Sequence, residues 1–246
     1  MPAQTDRTLT GRVPREAIVM LDIPRLPREL IDGFKALTDL TGTISDAMDQ
    51  LGLVGVIPAS VLSPILPRAR MIGLAVTVRN VAHGMQVHRA ALERINGQGE
   101  AEAHNLAQSG DVVVIEGIVG VSNMGGQSAT IGHRQGEAGA VIDGSIRDPD
   151  ASRSIGYPIW CRGVTPITGK WRTQTVAING PVHIAGIQVH AGDLVAADEA
   201  GVCFVRRQQA AAVLEAARRI DAGDTRRKQA IEQGAAVAEL VQKKFS

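Results

Sequence analysis

"AGAVIDGSIRDPDASRSIG", residues 138–156, changes character halfway along. The apolar run up to Ile146 reads as a buried strand, and Pro149 opens a segment that reads as a helix. Between them, Arg147, Asp148, Asp150 and Arg153 fall within seven residues. Asp148 followed by proline fits an N-cap with proline at the first helical position, which is a sufficient structural reason for an aspartate. Arg147 is not explained that way. A helix start presents free N–H groups and the positive end of the dipole, an environment that draws an anion rather than a cation. An arginine held there suits a carboxylate ligand. Asp148, a hard oxygen donor, suits Mg²⁺ or Mn²⁺.

The same theme occurs just upstream. "DVVVIEG" (111–117) is a short apolar run, and "NMGGQSATIGHRQ" (123–135) follows as a glycine turn leading into a helix. Buried strands alternating with helices argue for a βαβ core, with "YPIWCRGV" (157–164) as the next extended run. Gly125 and Gly126 let the backbone approach a ligand closely, and the N–H groups of Gly126, Gln127 and Ser128 suit a carboxylate. His133, one to two turns into that helix, is the histidine nearest this region. Gly117, Gly120 and Gly125 do not fall in the G-x-G-x-x-G spacing, so a dinucleotide site is not expected. No G-x-S-x-G occurs. Lys170, in "TGKWRTQ", reads as an exposed loop residue rather than a Schiff-base lysine.

Further out, residues 1–25 are polar and dotted with proline, and read as an arm over a neighbour or the surface. Residues 26–246 read as one α/β domain. "LPRELIDGFKALTDL" (26–40) has near-helical apolar spacing, and "TGTISDAMDQLG" (41–52) reads as a second helix capped by Thr43 or Ser45 and closed by Gly52. "MIGLAVTVRN" (71–80) is a strand, and 84–95 is helical in composition. From about 175, "TVAING", "PVHIAGIQVHAGDLVAAD" and "GVCFVRR" read as successive strands with tight turns. Residues 207–245 read as helical, broken near Gly223.

Bulk properties narrow the function. The 246 residues are 44% apolar but only 2% aromatic, and 26 Lys and Arg against 25 Asp and Glu leave a net charge of +1. Neither a basic face for nucleic acid nor a set of aromatic stacking platforms is expected. There is no run of about 18 apolar residues and no apolar leader, so a cytoplasmic chain without a membrane partner is expected. Cys161 and Cys203 each sit in an apolar run and read as buried small hydrophobes.

Taken together, "VIDGSIRD", the upstream "GGQ" and the downstream "GDLVAADEAGVCFV" resemble the RraA-like family over roughly residues 35–240. That family includes the 4-hydroxy-4-methyl-2-oxoglutarate aldolases and the regulators of ribonuclease E. The resemblance implies a layered α/β sandwich with a swivelling-type central β-structure and a C-terminal helical segment, assembled as a homotrimer or homohexamer. It also implies roles: Asp148 for a divalent metal (Mg²⁺ or Mn²⁺), Arg147 for the carboxylate and carbonyl of a 2-oxo acid, and Gly125–Ser128 for the substrate carboxylate. A carboxylate from a neighbouring subunit's C-terminal region is also implied, and Asp224 or Asp221 stands in that region. One departure is clear. Aldolases of the family carry an acidic residue second in the glycine loop, holding a water that protonates the pyruvate enolate, and here that residue is Gly126. A metal-dependent carbon–carbon lyase acting on a small 2-oxo or 2-hydroxy acid is expected, with oxaloacetate decarboxylation using the same electron sink. His133 is the side-chain candidate for the missing proton donor. The alternative is a non-catalytic protein that binds and regulates a ribonuclease.

Overall fold

The computed structural model describes residues 8–242. Its centre is a run of parallel strands: β3 (Met71–Ala82), β4 (Val112–Glu116), β5 (Gly139–Ile146) and β6 (Ile159–Val164). The remaining strands are β1 (Val56–Pro58), β2 (Ser63–Pro64), β7 (Thr173–Ile178), β10 (Leu194–Asp198) and β11 (Gly201–Val205) of the same sheet, and a separate hairpin of β8 (Val182–Ile184) and β9 (Ile187–Val189). The sheet runs β1-β11-β10-β3-β4-β5-β6-β2, with β7 also on β3. β3 is long enough to take three partners. Met71–Leu74 pair antiparallel with β10, Ala75–Arg79 parallel with β4, and Val78–Ala82 antiparallel with β7.

Side-chain alternation along these strands separates two cores. Ile72, Leu74, Val76, Val113, Ile115 and Ile142 face the helices. Met71, Ala75, Val112, Val114, Val141 and Trp160 face the other way, where the β8–β9 hairpin covers them with Val182, Ile184 and Val189. β4 is buried on both faces, which is why its sequence is continuously apolar rather than alternating. The layered mixed α/β architecture is the one expected.

The helices are α1 (Arg28–Lys35), α2 (Thr41–Gln50), α3 (Val87–Leu92), α4 (Glu100–Leu106), α5 (Gly126–Gln135), α6 (Pro149–Ser154), α7 (Ala210–Glu232) and α8 (Val237–Gln242). Several details differ from the sequence reading. α2 starts at Thr41, whose N–H and hydroxyl bond the Asp198 carboxylate, so Thr43 and Ser45 lie inside the helix rather than capping it. The helical reading at 84–95 contracts to α3, and α4 was not foreseen. Gly223 does not break α7. It is buried within an unbroken helix, where packing of the flanking apolar face outweighs one glycine's poor propensity, and the chain turns at Gly234 with φ +81°. The described part of the N-terminal arm packs on its own chain: Thr10 bonds Glu102, Ile18 bridges Ile178, and Arg25 pairs with Asp111. Cys161 and Cys203 are buried and unpaired, and burial pushes the Cys203 thiol up to about 12. No helix among the described residues is long and apolar enough to cross a membrane.

Candidate active site at the α5 and α6 helix starts

Two helices begin side by side where β4 and β5 end. The loop from β4 into α5 is braced by the buried Asn123. Its amide donates to the carbonyls of Ile118 at 2.8 Å and Val121 at 3.0 Å, and its oxygen accepts the Ile118 N–H at 3.0 Å. Gly117 and Gly144 leave it room, since a Cβ at either would come within 3 Å of the Asn123 side chain. The Arg147 N–H bonds the Met124 carbonyl at 2.9 Å, which ties the end of β5 to this loop.

α5 then starts without a side-chain cap. Gly125 occupies the N-cap in extended backbone, and Gly126 is the first helical residue. The helix closes its first turn with the Ala129 N–H on the Gly125 carbonyl, so the N–H groups of Gly126, Gln127 and Ser128 point out of the helix start.

Asp148 turns toward them. It occupies the N-cap position of α6 with Pro149 next, as the sequence suggested, yet its side chain makes no capping bond to that helix. Its backbone is left-handed, φ 56° and ψ 50°, an uncommon conformation that aspartate tolerates better than most residues. In this conformation Oδ2 lies 3.3 Å from the Gly126 N–H and 3.3 Å from the Arg147 guanidinium. Both contacts are long. Among the described residues Oδ1 has no hydrogen-bond partner, and the Asp148 side chain is 47% exposed against 35% for Arg147. The cluster therefore offers one free carboxylate oxygen, one half-exposed guanidinium and an uncapped helix start, with α6's own start adjacent.

The donor set bears on the metal that the resemblance implies. No group of three or more His, Cys, Asp or Glu is gathered among the described residues. A hard ion that keeps most of its water needs as few as one or two carboxylates. Asp148 is the residue that would hold it.

The other candidates lie elsewhere in the chain. His133 is exposed, seven residues along α5 from Gly126 and thus about 10 Å up the axis. Gln127 is exposed at the helix start. Asp224 is exposed on α7, which packs on α1 and α2, and the Asp221 carboxylate bonds the Thr38 N–H at 2.9 Å. One chain thus brings together Gly125–Ser128, Arg147 and Asp148, but not His133 or Asp224.

Sequence reasoning missed what lies behind α5. The Ser128 hydroxyl sits 2.7 Å from His104 Nε2, His104 Nδ1 lies 2.8 Å from Glu137, and the Tyr157 hydroxyl donates to Glu137 at 2.6 Å. Burial, and then Glu137, push the Tyr157 hydroxyl well above its usual range, which keeps it a donor. Nothing in "EAEAHNL" announces this, because the partners come from three separate segments. The only local hint is Gly132, where a Cβ would lie 2.5 Å from Glu137 Oε2 and 2.7 Å from the Tyr157 hydroxyl.

Comparison with known proteins gives a consistent result. A family model for RraA-like proteins, described as Aldolase/RraA, matches residues 41–204. That span contains Gly125–Ser128 and Arg147–Asp148 and ends before α7. A Halalkalibacterium halodurans protein named "Putative 4-hydroxy-4-methyl-2-oxoglutarate aldolase" is 33% identical over 195 residues, 78% of this chain and 84% of that one. An uncharacterised protein from Pseudomonas syringae pv. tomato matches in structure with a TM-score of 0.74 and 28% identity, covering 88% of this chain and 98% of that one. Streptomyces coelicolor RraAS2, described as an unusual member of the RNase ES inhibitor RraA protein family, shares the fold with a TM-score of 0.67 at 24% identity, over 86% of this chain and 98% of that one.

Proposed function

The chain belongs to the RraA-like, Aldolase/RraA, family, and from that premise we propose that it is a divalent-metal-dependent carbon–carbon lyase that cleaves a small 2-oxo acid to pyruvate. The observation that carries this reading is the turn of Asp148 away from its own helix. An aspartate kept only as a cap would bond the N-terminus of α6, whereas this one lies beside Arg147 and the open start of α5. The name of the 33% identical relative supports the same chemistry.

In this reading the N–H groups of Gln127 and Ser128 bind the substrate carboxylate, favoured by the helix dipole. Arg147 binds the 2-oxo group and the adjacent carboxylate oxygen, orienting the bond to be broken. As that bond breaks, negative charge develops on the 2-oxo oxygen, and the guanidinium is placed to stabilise it. Asp148 would hold Mg²⁺ or Mn²⁺, and such an ion supplies Lewis-acid polarisation of the same carbonyl. Oxaloacetate is the simplest substrate with this electron sink.

A neighbouring copy of the chain would complete the site, in a homotrimer or homohexamer. Val119 and Ile167 on loops and Val164 at the end of β6 are exposed apolar residues, and α7 is exposed over most of its length beyond Gly223. The test is pyruvate release from oxaloacetate and from 4-hydroxy-4-methyl-2-oxoglutarate. It should appear with Mg²⁺ or Mn²⁺, stop with EDTA and return on adding the ion. No release from either substrate with either ion overturns the reading.

A further inference from the structure

The start of α5 needs support from outside its own sequence. Its N-cap and first residue are both glycine, among the poorest helix formers, and neither supplies a capping side chain. A side chain at either position meets a close neighbour, and at Gly126 it meets one too close to accommodate without a shift. A Cβ at Gly126 would lie 2.7 Å from the Ala151 Cβ, and one at Gly125 would lie 3.3 Å from Asp148 Oδ2. The turn proposed to hold the substrate carboxylate therefore carries no capping side chain of its own.

The Ser128–His104–Glu137–Tyr157 chain supplies that support. All four residues are buried. Glu137 accepts from the Tyr157 hydroxyl through Oε2 and faces His104 Nδ1 through Oε1. With Glu137 as acceptor, His104 carries its proton on Nδ1, and Nε2 is left to accept the Ser128 hydroxyl. Ser128 is the third residue of α5, so the bond anchors the first turn to α4. Two residues of helix separate Ser128 from Gly126 by about 200°. The chain thus runs on the side of α5 away from Asp148, and Ser128, through its backbone N–H, is the residue it shares with the site.

We propose that His104 and Glu137 are positioning residues: through Ser128 they hold the first turn of α5 in place and so set the affinity of its N–H groups for the substrate carboxylate. This inference rests on the carboxylate-binding reading above. It differs from a purely structural role in what it moves. A structural network changes global stability, whereas a positioning one changes binding and local opening at Gly126–Ser128.

The test uses the whole chain with Mg²⁺. In the triple variant His104→Leu, Glu137→Leu, Tyr157→Phe the three residues behind Ser128 become apolar together, so no buried charge is left unpaired. Ser128→Ala cuts the anchor from the other end and serves if the triple variant does not fold. Glu137→Gln is the conservative control: its amide oxygen can accept from Tyr157 and its NH2 can donate to His104 Nδ1, with the imidazole taking the other tautomer and donating from Nε2 to Ser128. In the triple variant and Ser128→Ala, pyruvate Kd by calorimetry should rise about tenfold. KM for oxaloacetate should rise by a similar factor, and by more than kcat falls. Amide hydrogen exchange, measured without ligand, should accelerate about tenfold at Ala129, whose N–H closes the first turn of α5 on the Gly125 carbonyl, but not in β4 or β5. Glu137→Gln should stay close to the parent in all three. Parental Kd and parental exchange in a folded triple variant or in Ser128→Ala would overturn the inference. If the parent itself binds no pyruvate, the lyase reading fails, and unchanged exchange at Ala129 still decides against the anchor.

Discussion

Asp148 can be separated from a simple cap by its closest isostere. Asparagine tolerates left-handed backbone and caps helices about as well as aspartate. Asp148→Asn should therefore keep the fold, with stability within about 1 kcal/mol of the parent. It should lose pyruvate release by at least ~100-fold at moderate Mg²⁺, because a neutral amide is a poor ligand for a hard cation. Titrating EDTA-stripped protein with Mg²⁺ or Mn²⁺ while following pyruvate checks this, and an unchanged titration would return Asp148 to a structural role. Arg147→Ala should fail differently. Removing a charged partner of a bound carboxylate costs about 2–5 kcal/mol, so kcat/KM should fall by ~30-fold or more at any ion concentration. Activity within tenfold of the parent would remove Arg147 from the reaction.

At the scale of elements, the site depends on how closely α5 approaches α6. Gly126 has no positive φ. It is helical, and Ala151 on α6 is what forbids a side chain there. Gly126→Ala gains helix propensity of about 1 kcal/mol but overpacks the contact by about 1–3 kcal/mol. The variant should be marginally less stable in urea unfolding and should bind pyruvate more weakly, because displacing α6 displaces Asp148. The acidic side chain usual in this loop can be restored only with room made for it. Gly126→Asp with Ala151→Gly should exchange the methyl protons of pyruvate at least tenfold faster than the parent, since a general catalyst contributes ~10²–10⁴-fold. A folded double variant that binds pyruvate without faster exchange would show that this position has another use. The strand–turn–helix repeat that builds this junction was legible because β4 and β5 are buried runs bounded by glycine. Arg147 and Asp148 stood out because their charges break such a run. His104, Glu137 and Tyr157 were not legible, because they meet only after α4, the end of α5 and the turn after α6 have packed. The start of α2 was missed for the same reason: its anchor, Asp198, lies more than 150 residues away in sequence.

For the whole molecule, light scattering at micromolar concentration should give a trimer or hexamer, and a monomer would refute a site completed between copies. Stability should also carry a pH signature from Asp193, which joins the turn before β10 to the approach to α7. Its buried carboxylate accepts the N–H groups of His190 at 2.9 Å and Arg207 at 3.0 Å, with Arg206 at 3.4 Å. Burial outweighs these and pushes it from 3.8 up to about 6. Between those values the folded chain holds a proton that the unfolded chain has released, so this contribution to stability falls as pH rises from about 4 to about 6. Asp193→Asn lacks the titration. Its stability relative to the parent should rise by up to about 3 kcal/mol between pH 4 and pH 7 in urea unfolding, and a pH-independent difference would count against it. The threefold pairing of β3 bears finally on the order in which the protein can be made. Its later half can pair with β4 as soon as residue 116 has left the ribosome, whereas Met71–Leu74 wait for Leu194–Ala197. Throughout that stretch of synthesis the nascent sheet carries a bare, apolar edge, open to whatever strand it meets first. That edge closes only when β10 has been made, long after the junction of Gly126 and Asp148 has left the ribosome.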